Sequence, residues 1–377
     1  MDKLIIIGGN NYNTLGCVRC FGQKQIPFTL LLVKGQKDAM ILKSKLLKTY
    51  VLVDNVEDAI VWLKNHRAYT QGTVVIPTSD RAESALDNNL DELITYYCFP
   101  HALAQGDVSR MMNKDVQVAM AHNSGLDVPE TFVFNRGDEL PTSITYPVIV
   151  KQENSTKGRK REMHICHNKE ELHVAINSLK DTKELLIQQY IKREYELLII
   201  GCRLSDGSVW LPAIFKKTRW MLNGGDGSYG LISTKVSQYF HKLEQVKQLL
   251  ASMNYYGPFS IEFGIVKDKA YFYEVNMRND GTSHYFYPAG IYVPLVYYKD
   301  CLHQLNESDT NVEELEYKFI DELGDMCNLF HGLSLWKWIV DIYKAKVYKY
   351  YFKGDNAPFW NTAPRSIAHS IYRIICR

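Results

Sequence analysis

Residues 260–276 read SIEFGIVKDKAYFYEVN, and their pattern restricts the fold more tightly than any other stretch of the chain. Residues 260–266 and 270–276 each alternate, with the polar Lys267-Asp268-Lys269 between them, which is the signature of a β-hairpin. The alternation puts Ile261, Phe263, Ile265, Tyr271, Tyr273 and Val275 on an apolar face suited to a core. The other face carries Ser260, Glu262, Gly264, Phe272, Glu274 and Asn276. A turn centred on Asp268 sets Glu262 opposite Glu274, with their Cβ atoms roughly 5 Å apart. Two facing carboxylates repel, so the arrangement calls for a cation between them, unless both simply point into water. A hard divalent ion such as Mg2+ suits two carboxylates, a neighbouring amide oxygen from Asn276, and phosphate. Arg278 and the segment Asn279-Asp280-Gly281-Thr282 follow at once, adding a cation and a turn-rich loop suited to metal-bound phosphate.

The remainder of the chain gives this hairpin a setting. A length of 377 residues allows two or three domains. Residues 1–107 alternate strands (4–7, 28–33, 50–53, 74–76) with helices, which predicts a small α/β domain on a mostly parallel sheet. Thr78-Ser79-Asp80-Arg81 follows the fourth strand and should share a ligand-facing edge with Asn10 and Asn11. Gly8-Gly9 lacks the full dinucleotide fingerprint. From about 148 to 276, strands at 148–151, 163–166, 185–191, 195–201 and 210–217 lead to the acidic hairpin. They predict an antiparallel sheet with helices at 113–123, 169–179 and 241–253. Residues 152–161 read as a polar loop, and 218–230 as a second, glycine-rich one. Residues 306–377 read as a helical, basic extension rich in aromatics.

Composition removes several function classes. Forty-four basic against 42 acidic residues leave a net charge of +2, which gives no footprint for nucleic acid. The N-terminal apolar run is too short for a signal peptide or a membrane span, so a soluble cytoplasmic chain is expected. Eight scattered cysteines suit reduced thiols. Cys17-Val18-Arg19-Cys20 and His164-Ile165-Cys166-His167 read as structure, since neither has a second pair of ligands nearby. In the tail, Trp336, Trp338, Tyr343, Tyr348, Tyr350, Tyr351 and Phe352 are interleaved with lysines. These aromatics either pack on the body or meet an anionic inner membrane surface.

Taken in order, these pieces resemble the ATP-grasp superfamily across about residues 1–300, nearest to carbamoyl-phosphate-synthase-like and D-aspartate-ligase-like carboxylate–amine ligases. The string Tyr273-Glu274-Val275-Asn276-Met277-Arg278, with Glu262 twelve residues before Glu274, is similar to that family's metal and phosphate signature. The resemblance implies a pre-ATP-grasp α/β domain (1–107), an ATP-grasp domain (108–305) and a C-terminal extension (306–377). It implies that Glu262, Glu274 and Asn276 hold Mg2+ (or Mn2+), two ions bridging the phosphates of ATP. Lys114 and Lys151 would touch phosphate, and the loop with Ser155, Lys157 and Gly158 would close over it. Gln188 and backbone groups of Tyr190 and Ile191 would meet the adenine, and Glu196, or Glu194 in a shifted register, the ribose. Lys217, Arg219 and Arg278 would serve the transferred phosphoryl group. The implied activity activates a carboxylate, of an amino acid, as an acyl-phosphate and joins it to an amine; a homodimer is only the usual default for such a chain. A kinase or carboxylase of the same fold, or a nucleotide-binding regulator without turnover, are the competing readings.

Overall fold

The computed structural model describes residues 3–67, 72–141, 143–152, 163–179, 184–221 and 226–375. The chain opens with β1 (Leu4–Gly8), β2 (Thr29–Val33), β3 (Thr49–Val53), β4 (Thr73–Pro77) and β5 (Tyr97–Cys98), all parallel, in the order β3-β2-β1-β4-β5. Leu4 to Ile7 are fully buried, as an unbroken apolar run at the centre of a parallel sheet must be. The connections leave β1 in opposite directions, which opens a crevice at the carboxyl ends of β1 and β4. Two capped helices begin at that edge. Asn11 accepts from Thr14 N–H to start Tyr12–Gln23, and Ser79 accepts from Ala82 N–H to start Asp80–Asp87.

A four-stranded antiparallel sheet follows, built from β6 (Thr131–Asn135), β7 (Val148–Gln152), β8 (His164–Cys166) and β9 (Glu184–Gln189) in the order β6-β9-β7-β8. The helix Lys169–Ser178 covers one face through Leu172, Ala175 and Ile176. The seven-stranded sheet holds β10 (Tyr195–Arg203), β11 (Val209–Trp220), β12 (Gly227–Ser233), β13 (Gly257–Val266), β14 (Lys269–Asn276), β15 (Glu316–Ile320) and β16 (Ala345–Tyr348). Its order is β14-β13-β10-β11-β12-β15-β16.

The two faces of the large sheet explain where a site can form. One face, with Leu197, Ile199, Ile214, Ile261, Phe263 and Val275, packs on the helices Lys114–Asn123 and Leu243–Ser252. The opposite face is divided. Leu198, Ile200, Ala213, Phe215, Ile232 and Phe319 bury against Ile6, Leu15 and Phe286, joining the sheet to the N-terminal domain in one core. Further along the same face, Glu196, Lys217, Glu262, Glu274 and Asn276 replace the apolar residues.

Four expectations are corrected. Strands 148–276 form two sheets, because β7, β8 and β9 pair with β6 and not with β10. Segment 218–230 is largely strand: Gly230 fits because a Cβ there would run into the Lys216 carbonyl and the Phe215 ring. Residues 222–225 lie outside the described residues. The C-terminal segment has helices at Leu335–Lys344 and Ala357–Ile375 but also supplies β15 and β16, so a boundary at 306 would cut through one sheet. Cys98 and Cys301 stand joined as a disulfide, with Cα atoms 6.1 Å apart, linking the end of β5 to the helix Val293–Cys301.

Candidate active site

The hairpin of β13 and β14 sets Glu262 opposite Glu274, but not through a turn centred on Asp268, because the register changes between the pair and the turn. Val266 pairs with Lys269, so Lys267-Asp268 is a two-residue turn, with Lys267 at φ +53°. Phe263 pairs with Phe272 while Glu262 pairs with Glu274, which leaves Tyr273 as the extra residue of a β-bulge. The bulge corrects the two faces read from the sequence. Phe272 enters the core against Phe263 and Phe240, and Tyr273 swings to the charged face, where its ring lies over Gly264. Burial raises the Tyr273 phenol pKa to about 12, with Arg193 opposing and Glu196 and Tyr190 adding to the rise. Tyr273 is thereby a site neighbour that strict alternation hides.

Charges on this face alternate in space. Lys217 Nζ, almost fully buried, lies 2.9 Å from Glu262 Oε2 and 3.5 Å from Glu196 Oε2. Lys114, the first residue of its helix, lies with Nζ 2.7 Å from Glu274 Oε2. Gln117, one turn on, fixes that helix by bonding both the N–H and the C=O of Val275. Burial works against the charge of Lys217, and Glu262 and Glu196 outweigh it, so its pKa stands above the ordinary lysine value. Glu262 is pushed up to about 7 by burial, with Glu274 and Glu196 adding to the rise and Lys217 opposing it. Three cations, Lys217, Lys114 and Arg193, thus stand against three carboxylates, Glu262, Glu274 and Glu196.

Asn276 is oriented by its neighbours. Its amide nitrogen donates to Ser260 Oγ at 3.3 Å, and its oxygen accepts from Arg278 Nη2 at 3.3 Å. Arg278 Nε reaches back to Asp80 Oδ1 at 2.6 Å, and Nη1 lies 3.5 Å from Asp280. Burial opposes its charge, and Asp80 and Asp280 outweigh that and raise its pKa. Asn279 is buried and exchanges hydrogen bonds with Asn13, whose side chain also donates to Thr78 C=O. The crevice at β1 and β4 is therefore closed against the acidic hairpin through Arg278 and Asn279.

The other expected residues divide. Lys151 donates to Gln188 Oε1 at 2.8 Å on the small sheet. Tyr190 N–H donates to Pro147 C=O, and Ile191 C=O accepts from Arg193 N–H. Glu196 is buried in the cluster and paired with Arg193 at 2.7 Å, whereas Glu194 is exposed and caps the hairpin turn at Lys267 N–H. Asn11 is spent on its helix cap, Asn10 accepts from Ile41 N–H, and Arg81 is exposed. Ser155, Lys157 and Gly158 lie outside the described residues.

Arg219 is not brought to the cluster. Thr218 is the extra residue of a second bulge, where Lys217 pairs with Gly230 and Arg219 with Tyr229, so the side chain turns to the opposite face. There it stacks on Tyr229 and pairs with Asp325 (2.7 Å) and Asp341 (2.8 Å) of the C-terminal segment.

The donor set fits Mg2+ bound with a nucleotide. Among the described residues no group of three His, Cys, Asp or Glu side chains is set to hold a metal unaided. Two carboxylates and an amide oxygen are what Mg2+ takes from a protein when phosphates and water supply the other positions.

Residues 119–289 match the family model for the ATP-grasp domain. Over 283 residues the chain is 23% identical to a formate-dependent phosphoribosylglycinamide formyltransferase from a Nitratiruptor species, spanning 67% of this chain and 70% of that one. An L-amino acid ligase from Bacillus licheniformis superposes with a TM-score of 0.64 at 16% identity, covering 84% of this chain and 78% of its own. An N5-carboxyaminoimidazole synthetase from Staphylococcus aureus superposes with a TM-score of 0.66 at 14% identity, covering 87% and 85%.

Proposed function

We propose that this chain, whose residues 119–289 match the ATP-grasp domain model, is an ATP- and Mg2+-dependent carbon–nitrogen ligase that joins a carboxylate, of an amino acid, to an amine. The observation that carries this reading is the facing pair Glu262 and Glu274, bordered by Lys217, Lys114 and Arg278. Amide formation from a carboxylate in water needs activation, and phosphorylation supplies a leaving group. A carboxylate oxygen attacks the γ-phosphorus of ATP, the bond to the bridging oxygen breaks, and ADP leaves with the electron pair. The amine then attacks the acyl carbon, phosphate departs, and the amine gives up a proton as the amide forms.

Glu262, Glu274 and Asn276 would hold Mg2+, two ions in the fullest form of the reading, and the metal would supply charge neutralisation at the phosphates. Lys114 and Lys217, now paired with Glu274 and Glu262, would take up charge at the phosphates once those carboxylates turn to the metal. Lys151 with Gln188, and backbone groups of Tyr190 and Ile191, would receive the rest of the nucleotide from the small sheet, and Glu196 the ribose. Arg278, held between Asp80 and Asn276, stands where the crevice of the N-terminal domain meets the acidic hairpin. It would steady the acyl-phosphate there, while Ser155, Lys157 and Gly158 would cover the phosphates. A cytoplasmic homodimer is the expected assembly.

The test is release of ADP and phosphate with Mg-ATP across D- and L-amino acids paired with amines, against a Glu274→Gln control. Release that needs both a carboxylate and an amine and disappears in the variant is the expected result. Release with bicarbonate, or with a carboxylate alone yielding a stable phosphorylated product, would replace this reading with a carboxylase or kinase. Tight ATP binding with no turnover across the panel would point to a regulator.

A further inference from the structure

The helix Leu335–Lys344 carries aromatic side chains on both of its faces, and among the described residues only one face is covered. Trp338 and Ile342 pack on Tyr229, Ile320 and Ala345 of the large sheet, and Asp341 is buried against Arg219. At about 100° per residue, Leu335, Ile339, Tyr343 and Trp336 fall within an arc of about 100° on the outside. Trp336 is 74% exposed and Tyr343 88%, and Leu335 and Ile339 are exposed beside them. Phe330 and Trp360 add two more exposed rings from the neighbouring elements Asp325–His331 and Ala357–Ile375, the first of which touches both helices. Soluble surfaces seldom keep so many large apolar side chains together without a partner.

The charges around this face decide which partner. Residues 331–377 contain only two acidic residues, Asp341 and Asp355. Both are buried and paired, Asp341 with Arg219 and Lys337, Asp355 with Arg19. The charged side chains left exposed among the described residues of this segment are all cationic: Lys337, Lys344, Lys346 and Lys353. On the helix, Lys337 and Lys344 border the apolar arc on one side. A second copy meeting this face with the two helices antiparallel would set that lysine border against its own image. An apolar stripe with tryptophan and tyrosine at its centre and lysines along its edge matches the boundary of an anionic bilayer. We propose that the outer face of Leu335–Lys344, with Phe330 and Trp360, docks this protein on a membrane surface rich in acidic lipids. Among the described residues no helix is long and apolar enough to cross the membrane, so the contact is a surface one. Asp341 joins the docking helix to Arg219, two residues from Lys217 on β11.

The test is co-sedimentation of the full chain with vesicles of phosphatidylcholine, with and without phosphatidylglycerol. Binding is expected only with the acidic lipid, and it should fade as salt is raised. Trp336→Ser with Tyr343→Ser should abolish it while melting temperature and ATP turnover stay unchanged. Lys344→Glu should weaken it by over tenfold, since a reversal removes one attraction and adds one repulsion, each worth about fivefold in partitioning near such a surface. No binding to either vesicle, or binding indifferent to both variants, overturns the proposal. Concentration-dependent self-association that the Trp336 and Tyr343 changes abolish, with no vesicle binding, would assign the face to a second copy instead.

Discussion

Glu262 offers a sharp test of the site, because its environment sets stability and metal binding against each other. Its carboxyl is held near 7 in the folded chain against an ordinary value of 4.5, chiefly by burial. Its side chain is 20% exposed, so solvent screens the effect only in part. That displacement corresponds to about 3 kcal/mol as an upper bound. The sign follows from which state holds the proton. Between pH 4.5 and 7 the unfolded chain loses the proton first while the folded chain keeps it, so without metal the stability falls as pH rises through that window. Above pH 7 the full cost is present. Glu262→Gln keeps the shape without the charge and should therefore make the metal-free protein more stable at about pH 8, by up to about 3 kcal/mol, and no more stable at about pH 4. Mg-ATP should reverse the order at the higher pH, because it recruits the ionised carboxylate of the native chain and finds none in the variant. Urea unfolding at both pH values, with and without Mg-ATP, reads all four numbers. A variant less stable than the parent at the higher pH without metal would refute the electrostatic account. Equal stabilisation of both proteins by Mg-ATP would remove Glu262 from the binding site.

Three further outcomes follow from single contacts. Glu274→Gln and Lys114→Met should each lower ADP release by about 10²–10³-fold, with unfolding by urea little changed. Arg219→Ala leaves Asp325 buried without its cation and Asp341 with Lys337 alone, and should cost about 3–5 kcal/mol, whereas a direct role at the phosphates would appear as lost turnover at unchanged stability. Phe272→Ala should cost about 3–5 kcal/mol in urea unfolding and Tyr273→Ala much less, and the reverse order would mean that β14 has no bulge.

Period-2 alternation was enough to find the hairpin, because that information is local; Glu262 faces Glu274 only because the bulge at Tyr273 offsets a turn that is not centred on Asp268. Where the chain inserts one extra residue, alternation gives the wrong face. Tyr273 and Thr218 are such residues, and each reverses every side chain beyond it until the register is restored. Nothing in Tyr271-Phe272-Tyr273 says which ring is buried; the core made by Phe263 and Phe240 decides it. The same holds for Lys217-Thr218-Arg219, where adjacent cations part to opposite faces because Asp325 and Asp341 wait on the far side. Those partners lie more than a hundred residues away, the strands β15 and β16 that complete the sheet also come from far along the chain, and pairing over such distances leaves no periodic trace. Lys114 was legible only through the resemblance, since a lysine opening a helix is ordinarily a solvated charge.

The divided face of the large sheet is the feature that links fold to chemistry. Strands β10, β11 and β13 continue from Ile200, Ala213 and Ser260 to Glu196, Lys217 and Gly264 without a break, so a rigid apolar core and a charged cleft share the same backbone. Burial at one end fixes the positions of side chains at the other, which is what in-line phosphoryl transfer demands of its groups. A core-like Leu in place of Glu262 and Met in place of Lys217 would satisfy the sheet better than the charges present, given how far burial drives the Glu262 carboxyl from its ordinary state. A chain that keeps Lys217, Glu196, Glu262 and Glu274 against that gradient is locally frustrated at one place, and the frustration is relieved when a cation and a polyphosphate arrive together. The energy withheld from folding at this spot is then available as binding free energy for Mg-ATP, and it is available only while Glu262 is ionised.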